Sequence, residues 1–156
     1  MSSAPGRVFT SSGQPGYSTA VTADARHVRA RKLIREVQVH FTPTDCSVRT
    51  REGVVQARPG DAIVTGTQGE HWRVSRAHFA AKYQPVPPGI SWQDGRYCSL
   101  PNLIVAVSMS EAFEVVLTDG VSRLRGQAGD WLVDYGDGSL GIVSKDIFAS
   151  TYQIVP

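Results

Sequence analysis

The chain has 156 residues, 41% hydrophobic and 19% charged, with 15 Gly and 9 Pro, a globular composition that suffices for a core and excludes a collagen-like chain or a long linker. Net charge is only +2, no run approaches the roughly 20 apolar residues that cross a bilayer, and the first 20 residues lack the apolar centre of a secretory signal, so a cytoplasmic protein is expected. Cys46 and Cys98 have no metal-type spacing and are read as free thiols, with one disulfide between them left open.

Residues 1–24 read as a flexible arm and residues 25–86 as a first folded repeat. Val37 and Val39 alternate with Gln38 and His40, the period of a strand. Pro59-Gly60-Asp61 is turn chemistry that launches Ala62–Thr65 as a strand toward the loop Gly66-Thr67-Gln68-Gly69. A second strand ends at Val74, Ser75 suits a helix N-cap through its hydroxyl, and one or two helical turns carry Phe79-Ala80 before a short strand with Tyr83-Gln84. Three prolines and two glycines in Pro85–Arg96 break regular structure, so 87–101 is expected to be a linker and 102–156 a second repeat. There Val115-Val116-Leu117 runs into the hairpin signal Asp119-Gly120, and Gly129-Asp130 launches Trp131–Asp134 toward Gly136-Asp137-Gly138. A strand to Val143, Ser144, Phe148-Ala149 and Tyr152-Gln153 follow.

The two repeats are one sequence written twice. Gly60–Val86 aligns without gaps on Gly129–Val155 at an offset of 69, with eleven identities in 27 positions, among them Gly60/Gly129, Asp61/Asp130, Phe79/Phe148 and Tyr83/Tyr152. Upstream the match is looser. The expected fold is α+β: a duplicated small unit of antiparallel strands, Gly-rich hairpin and one short helix per copy, packed as one pseudo-symmetric domain, because a single copy is near the lower size limit for a core. Ala62 becomes Trp131 while Trp72 becomes Gly141, a volume exchange that places positions 62 and 72 opposite each other and both indoles largely in the core. His71 and Arg73 become Leu140 and Ile142, so that strand face is expected to be wet in the first copy and covered in the second.

Arg31-Lys32 with the strand after it, Pro59-Gly60-Asp61, Gly66, Gly69-Glu70, Phe79 and Tyr83 resemble the PGDYG-type small domains of bacterial and phage proteins. The likeness covers about 31–86 and again 102–155, as two tandem copies. Ala62 stands where the family has an aromatic, Ala128 where it has proline and Ser139 where it has glutamate. The resemblance implies no catalytic residue and favours a binding or regulatory module.

Charge is segregated along the chain: residues 1–88 hold 12 Lys/Arg against 6 Asp/Glu, and residues 89–156 hold 4 against 8. A basic first half attracts anionic partners, or is a solvated surface, or meets the acidic half of the same or another molecule. The ligand-binding candidates are Arg31, Arg35, Glu70, His71, Arg73, Arg76 and Tyr83: arginine forks match phosphate or carboxylate, and an aromatic stacks a base. Gly136-x-Gly138-x-x-Gly141 spells a dinucleotide fingerprint but opens no long helix, so it reads as a hairpin turn. Asp61 and Asp130 read as turn-bonding carboxylates. No His-x-x-x-His or Cys/His spacing supports a metal, and neither a cofactor nor a nucleophile motif is present. The reading is a non-catalytic intracellular module that recognises an anionic small ligand, nucleic acid or acidic protein surface, in the manner of a phage or mobile-element accessory protein, with no membrane contact and a homo-oligomer left open. The alternatives are a small enzyme acting on a nucleotide or sugar derivative through Asp61, Glu70 and His71, and a self-associating structural protein.

Overall fold

A computed structural model describes residues 6–156. In chain order its elements are β1 (Arg7–Thr10), α1 (Thr19–Thr22), β2 (Val28–Lys32), β3 (Glu36–Phe41), β4 (Cys46–Thr50), β5 (Gly53–Ala57), β6 (Ala62–Thr65) and β7 (His71–Val74). Then come α2 (Arg76–Lys82), β8 (Tyr83–Pro85), β9 (Gly95–Ser99), β10 (Leu103–Ser108), β11 (Phe113–Val116), β12 (Arg123–Gly126), β13 (Trp131–Asp134), β14 (Leu140–Val143), α3 (Lys145–Thr151) and β15 (Tyr152–Val155). Fifteen strands in four sheets against three short helices make the fold mostly β, which corrects the expected α+β class. The helix signals at Ser75 and Ser144 yield only seven residues each. Two stretches expected to be irregular are regular: the arm holds β1 and α1, and the Pro/Gly linker holds β9.

The two five-stranded sheets have matching orders, β7-β6-β3-β9-β8 and β14-β13-β10-β2-β15. Val39 of β3 and Ala106 of β10 sit opposite Val64 and Val133, the same position of the repeat. On the other side Val39 faces Gly95 of β9, and Ala106 faces Val28 of β2. By register β2 and β9 are therefore counterparts, yet each lies in the sheet built mainly from the other copy. The strand that precedes β3 in sequence joins β10, and the strand that precedes β10 joins β3.

This reciprocal exchange sets the division into compact units. One is continuous, Lys32–Asn102, and the other joins the chain up to Arg31 with Leu103–Pro156. Their boundaries cross those of the two copies, which replaces the expected single pseudo-symmetric domain with two units of mixed parentage. The exchange also redistributes charge. Arg7, Arg26, Arg29 and Arg31 fall in the discontinuous unit, leaving the continuous unit 9 Lys/Arg against 6 Asp/Glu and the other 7 against 8. A split that looked steep along the chain is shallow between the folded units.

Each unit has its own core. In the continuous unit Val37, Val39, Ala62, Val64, Val74, Phe79, Tyr83 and Tyr97 are buried together, with Phe41 and Trp72 packed at the margin. In the other, Ala30, Ile104, Ala106, Val133, Phe148 and Tyr152 are buried, with Trp131 and Tyr135 at the margin. The indoles are thus half-buried. Positions 62 and 72 are also diagonal neighbours on one face, since Ala62 lies opposite Val74 and Val64 opposite Trp72. The volume exchange has other partners. Beside the repeated tyrosine, the rings against the helix phenylalanine are Phe41 of β3 and Tyr97 of β9 in one unit, edge-on to Phe79 at 5.0 and 5.1 Å, and Trp131 of β13 in the other, stacked on Phe148 at 4.0 Å. Where Tyr97 is present position 62 is Ala, and where Trp131 is present the counterpart of Tyr97 is Ala30. Trp72 similarly leans over Gly66, whereas Tyr135 covers Gly141. A third exchange sits in the hairpins: Phe113 opposes Gly126, whose missing side chain its ring fills, and Cys46 opposes Ala57.

The repeated Gly-Asp turns explain themselves. Gly60 and Gly129 adopt φ of 89° and 97°, which a side chain disfavours. The Asp61 carboxylate accepts from the Arg58 amide at 2.9 Å and the Arg76 amide at 3.1 Å, and the Asp130 carboxylate accepts from the Gln127 amide at 2.9 Å. Asp61, not Ser75, therefore caps α2. The Ser75 hydroxyl lies 3.1 Å from His78 Nδ1, and neither Ser75 nor Ser144 makes a side-chain cap bond. Cys46 and Cys98 are both free.

Candidate functional site

The continuous unit presents a mostly polar sheet face that is open except where the β4–β5 hairpin packs on β7. Strand alternation points Gln38 and His40 of β3, Ile63 and Thr65 of β6, and His71 and Arg73 of β7 away from the core. Register arranges them in two rows across the sheet, Gln38–Thr65–His71 and His40–Ile63–Arg73. Arg96 of β9 extends the first row beside Gln38 and forms an exposed ion pair with Glu36. Between the rows and the approach to β9 lies a shallow groove of about 500 Å³ lined by Gln38, His40, Ile63, Thr65, His71 and Asp94, among others.

Both groove imidazoles are held through Nδ1. His40 Nδ1 lies 2.6 Å from Asp94 Oδ2, and the other oxygen of Asp94 accepts from the Phe41 amide at 2.8 Å. These bonds hold the Asp94 carboxyl below the usual carboxylate range, the Phe41 amide contributing most. His71 Nδ1 lies 2.9 Å from the Thr65 hydroxyl.

The same face of the discontinuous unit is sealed. The counterparts of Gln38, His40, Ile63, Thr65, His71 and Arg73 are Val105, Val107, Leu132, Asp134, Leu140 and Ile142, all buried. The chain's own arm helps to cover them. β1 pairs in parallel with β11, the hairpin β11–β12 packs on β14, and α1 packs on β10 with Val21 fully buried. The Ser11 hydroxyl accepts from the Leu140 amide at 3.0 Å. Asp134 accepts from the Ser18 amide at 2.6 Å and the Gly136 amide at 2.9 Å, while its burial raises its pKa. The expected contrast between a wet His71/Arg73 face and a covered Leu140/Ile142 face therefore extends across three strands.

Of the residues proposed from sequence, only His71 lines the groove. Arg73 stands on the same face but is engaged structurally: its Nη1 donates to the Gln56 carbonyl at 2.9 Å and its Nε lies 3.7 Å from Asp61. Arg31 lies on β2 in the other unit. Arg35 is exposed in the connection to β3, where its amide donates to Ser99 Oγ at 2.9 Å. The Glu70 carboxylate accepts from the Gln68 amide and fills the space beside Gly66. The Arg76 guanidinium lies over the exposed Trp92 ring at 4.3 Å. Tyr83 is buried, its hydroxyl accepting from Lys32 Nζ at 2.9 Å and from Trp72 Nε1 at 3.3 Å. Lys32, Trp72 and Tyr83, scattered in sequence, thus form one lysine–aromatic cluster. Asp61 and Glu70 are both spent on turns, so the acid/base trio drawn from sequence with His71 does not assemble. Among the described residues no cluster of three His, Cys, Asp or Glu is placed to hold a metal.

His40 and Asp94 were missed. A signal for His40 existed, since aligning β3 on β10 pairs it with an apolar residue, Val107. None existed for Asp94, which reaches His40 only through the path of the 86–94 loop.

Fold and groove together define a strand-exchanged β protein of two related units, one of which leaves a polar sheet face open. The chain belongs to the PGDYG protein family, whose model matches residues 53–153. That match contains Pro59-Gly60-Asp61, Gly69-Glu70, Phe79 and Tyr83, spans both copies as a single stretch, and begins after Arg31-Lys32. No curated protein and no solved structure matches the chain.

Proposed function

We propose that the protein is a binding module whose recognition surface is the open face of the continuous unit and whose ligand presents an anionic group, a phosphate or carboxylate, to His40 and His71. One observation carries this reading: the sheet face that mainly apolar residues and the arm seal in one unit carries in the other imidazole, hydroxyl and amide groups, with Ile63 among them, around a groove. Divergence that replaces a sealed apolar layer by polar groups is not required by the fold. It is what a ligand surface requires. In this reading each copy is a domain of the family type, and recognition rests on the groove more than on the net charge of the first half. An accessory role in a phage or mobile element draws support only from the family resemblance.

The test is a titration of the isotope-labelled full chain with inorganic phosphate and with uridine 3′-monophosphate. Shifts at His40 and His71 that strengthen toward acidic pH, as imidazolium forms, support the reading. Binding that persists in the His40→Ala/His71→Ala variant, or that maps to the discontinuous unit, overturns it.

A further inference from the structure

The arm that seals one unit has an empty seat in the other. In the discontinuous unit β1 lies in parallel on β11, with Phe9 opposite Val115, buried and edge-on to Phe113 at 6.3 Å. Beyond it the Ser11 amide donates to the Val116 carbonyl, the Gly13 amide to the Gly138 carbonyl and the Gly16 amide to the Gly136 carbonyl, each at 2.9 Å, and α1 then packs on β10. Every group that receives the arm has a counterpart in the continuous unit. β4 corresponds to β11, with Cys46, Val48 and Arg49 at the places of Phe113, Val115 and Val116. Thr67 and Gly69 stand for Gly136 and Gly138, and His71 for Leu140, whose amide donates to Ser11 Oγ. β4 packs on β7 as β11 packs on β14, and the other edge of β11 still takes β1. Among the described residues no strand lies on that edge of β4. Followed onward, the path of the arm crosses Thr65, at the place of Asp134, which holds the Ser18 amide, and ends over β3, the counterpart of the strand on which α1 packs. Gln38, His40 and Thr65 line the groove, so the groove occupies the place that α1 fills in the other unit.

We propose that the outer edge of β4 and the groove form one docking channel for an extended acidic segment of a partner protein, seated in parallel on β4 as the arm is seated on β11. The acidic character of the segment rests on the reading of this face as an anion-binding surface; the strand pairing does not. Pairing uses the backbone: amides of the segment meet the carbonyls of Arg49, Thr67 and Gly69, and one of its side-chain acceptors meets the His71 amide. A single apolar side chain takes the place of Phe9, beside Val48 and the half-buried Cys46. The groups over the groove select the rest. Val21 of α1 is fully buried against the discontinuous unit, whereas at the same place in the continuous unit it would lie against Gln38 and His40, so the arm of a second copy fits poorly. A carboxylate at that place meets imidazole and amide groups. Arg49 stands exposed on β4 beside the strand path, and the unit carries 9 Lys/Arg against 6 Asp/Glu, a balance that favours an acidic partner. The exposed bond from Arg51 to Gln68, the counterpart of Asp137, is displaced as the segment passes.

The probe is a synthetic peptide of residues 7–22 carrying Val21→Glu, titrated into the isotope-labelled full chain in parallel with the unaltered arm peptide and with inorganic phosphate. The expected result is saturable binding of the Val21→Glu peptide, with shifts along residues 46–50, at 65–71 and at His40, and an affinity about 10-fold or more above that of the unaltered peptide, as one charge-assisted contact supplies. N-methylation of Ser11 in the peptide, which removes the amide that the Arg49 carbonyl accepts, abolishes binding. His40→Ala in the protein lowers the affinity and leaves the shifts along β4 in place. Phosphate shifts at His40 and His71 without peptide binding overturn this inference and leave the anion-binding reading standing. Equal affinity of the two peptides overturns the acidic occupant in favour of the arm of a second copy, and shifts confined to residues 113–116, where the peptide displaces the arm, overturn the channel. A peptide bound along β4 with His40 and His71 unmoved by peptide and phosphate alike overturns the anion-binding reading and, with it, the acidic occupant. Absence of binding by all three probes overturns both.

Discussion

If β2 and β9 are exchanged between the copies, cutting the connection between the copies will not separate them. A protease site placed between Gly89 and Ile90, both exposed, yields fragments 1–89 and 90–156. The first supplies β2 to the sheet of β10 and β15; the second supplies β9 between β3 and β8. Tyr97 of β9 is 2% exposed and lies edge-on to Phe41 and Phe79 at 6.0 and 5.1 Å. Truncating a buried aromatic of this kind costs about 3–5 kcal/mol, so Tyr97→Ala in the cut protein weakens fragment association by about two to four powers of ten. Ala30 and Val28 of β2 anchor the reciprocal ladder. Native mass spectrometry and size exclusion at micromolar concentration, with circular dichroism before and after cutting, provide the assay. The expected outcome is a 1:1 complex with an unchanged spectrum. Fragments that part and retain folded spectra, each with a complete sheet of its own, would refute the exchange.

Three further predictions follow from the packing. Arg73→Ala destabilises the continuous unit by about 1.5–3 kcal/mol, because a charge-assisted bond to the Gln56 carbonyl is lost and Asp61 loses its neighbouring cation; urea unfolding reads this directly, and an unchanged midpoint would restore Arg73 to the ligand surface. Gly126→Ala drives a methyl into the Phe113 ring and costs about 1–3 kcal/mol, whereas in a Phe113→Cys background, as in the Cys46/Ala57 pair, it costs little; a double-mutant cycle without a coupling of at least about 0.5 kcal/mol contradicts the volume exchange. Asp94, with its pKa lowered in the folded state, contributes stability that is fully present above the unfolded carboxyl value of about 4 and is lost as pH falls through its lower folded value; the difference in urea midpoint between wild type and Asp94→Asn should therefore shrink below about pH 4.

What was legible in the sequence, and what was not, separates along physical lines. The duplication was plain because Gly60/Gly129 and Asp61/Asp130 answer to local geometry, a positive φ and a carboxylate closing its own turn, and such needs are written in contiguous residues. Strand positions were legible for the same reason. The exchange was invisible because the alternation of Val28 with Ala30, or Tyr97 with Ser99, states which side of a strand is buried and nothing about which sheet edge it joins. Counting charges by halves failed at the same place, since Arg26, Arg29 and Arg31 leave the first copy with β2 and the stretch leading into it. Asp94 meets His40 from 54 residues away through a loop, a contact that no spacing rule contains.

The two faces of the sheets have diverged under different constraints, and the difference bears on function. On the inner face large substitutions come in compensating sets: Trp131 for Ala62 with Ala30 and Ser108 for Tyr97 and Phe41, Trp72 over Gly66 with Tyr135 over Gly141. Close packing demands that, because an uncompensated change leaves a cavity or a clash. On the outer face Val107, Val105, Leu140 and Ile142 of one unit stand where the other has His40, Gln38, His71 and Arg73, while Leu132 answers to Ile63 and Asp134 to Thr65, and the covering arm has no counterpart among the described residues of the continuous unit. An apolar face must recruit a cover to escape water, whereas a polar one can remain open at little cost. The fold tolerates either state, so packing does not call for the carboxylate-buttressed His40 in the open groove, and the proposed anion-binding role is what gives that pair a use.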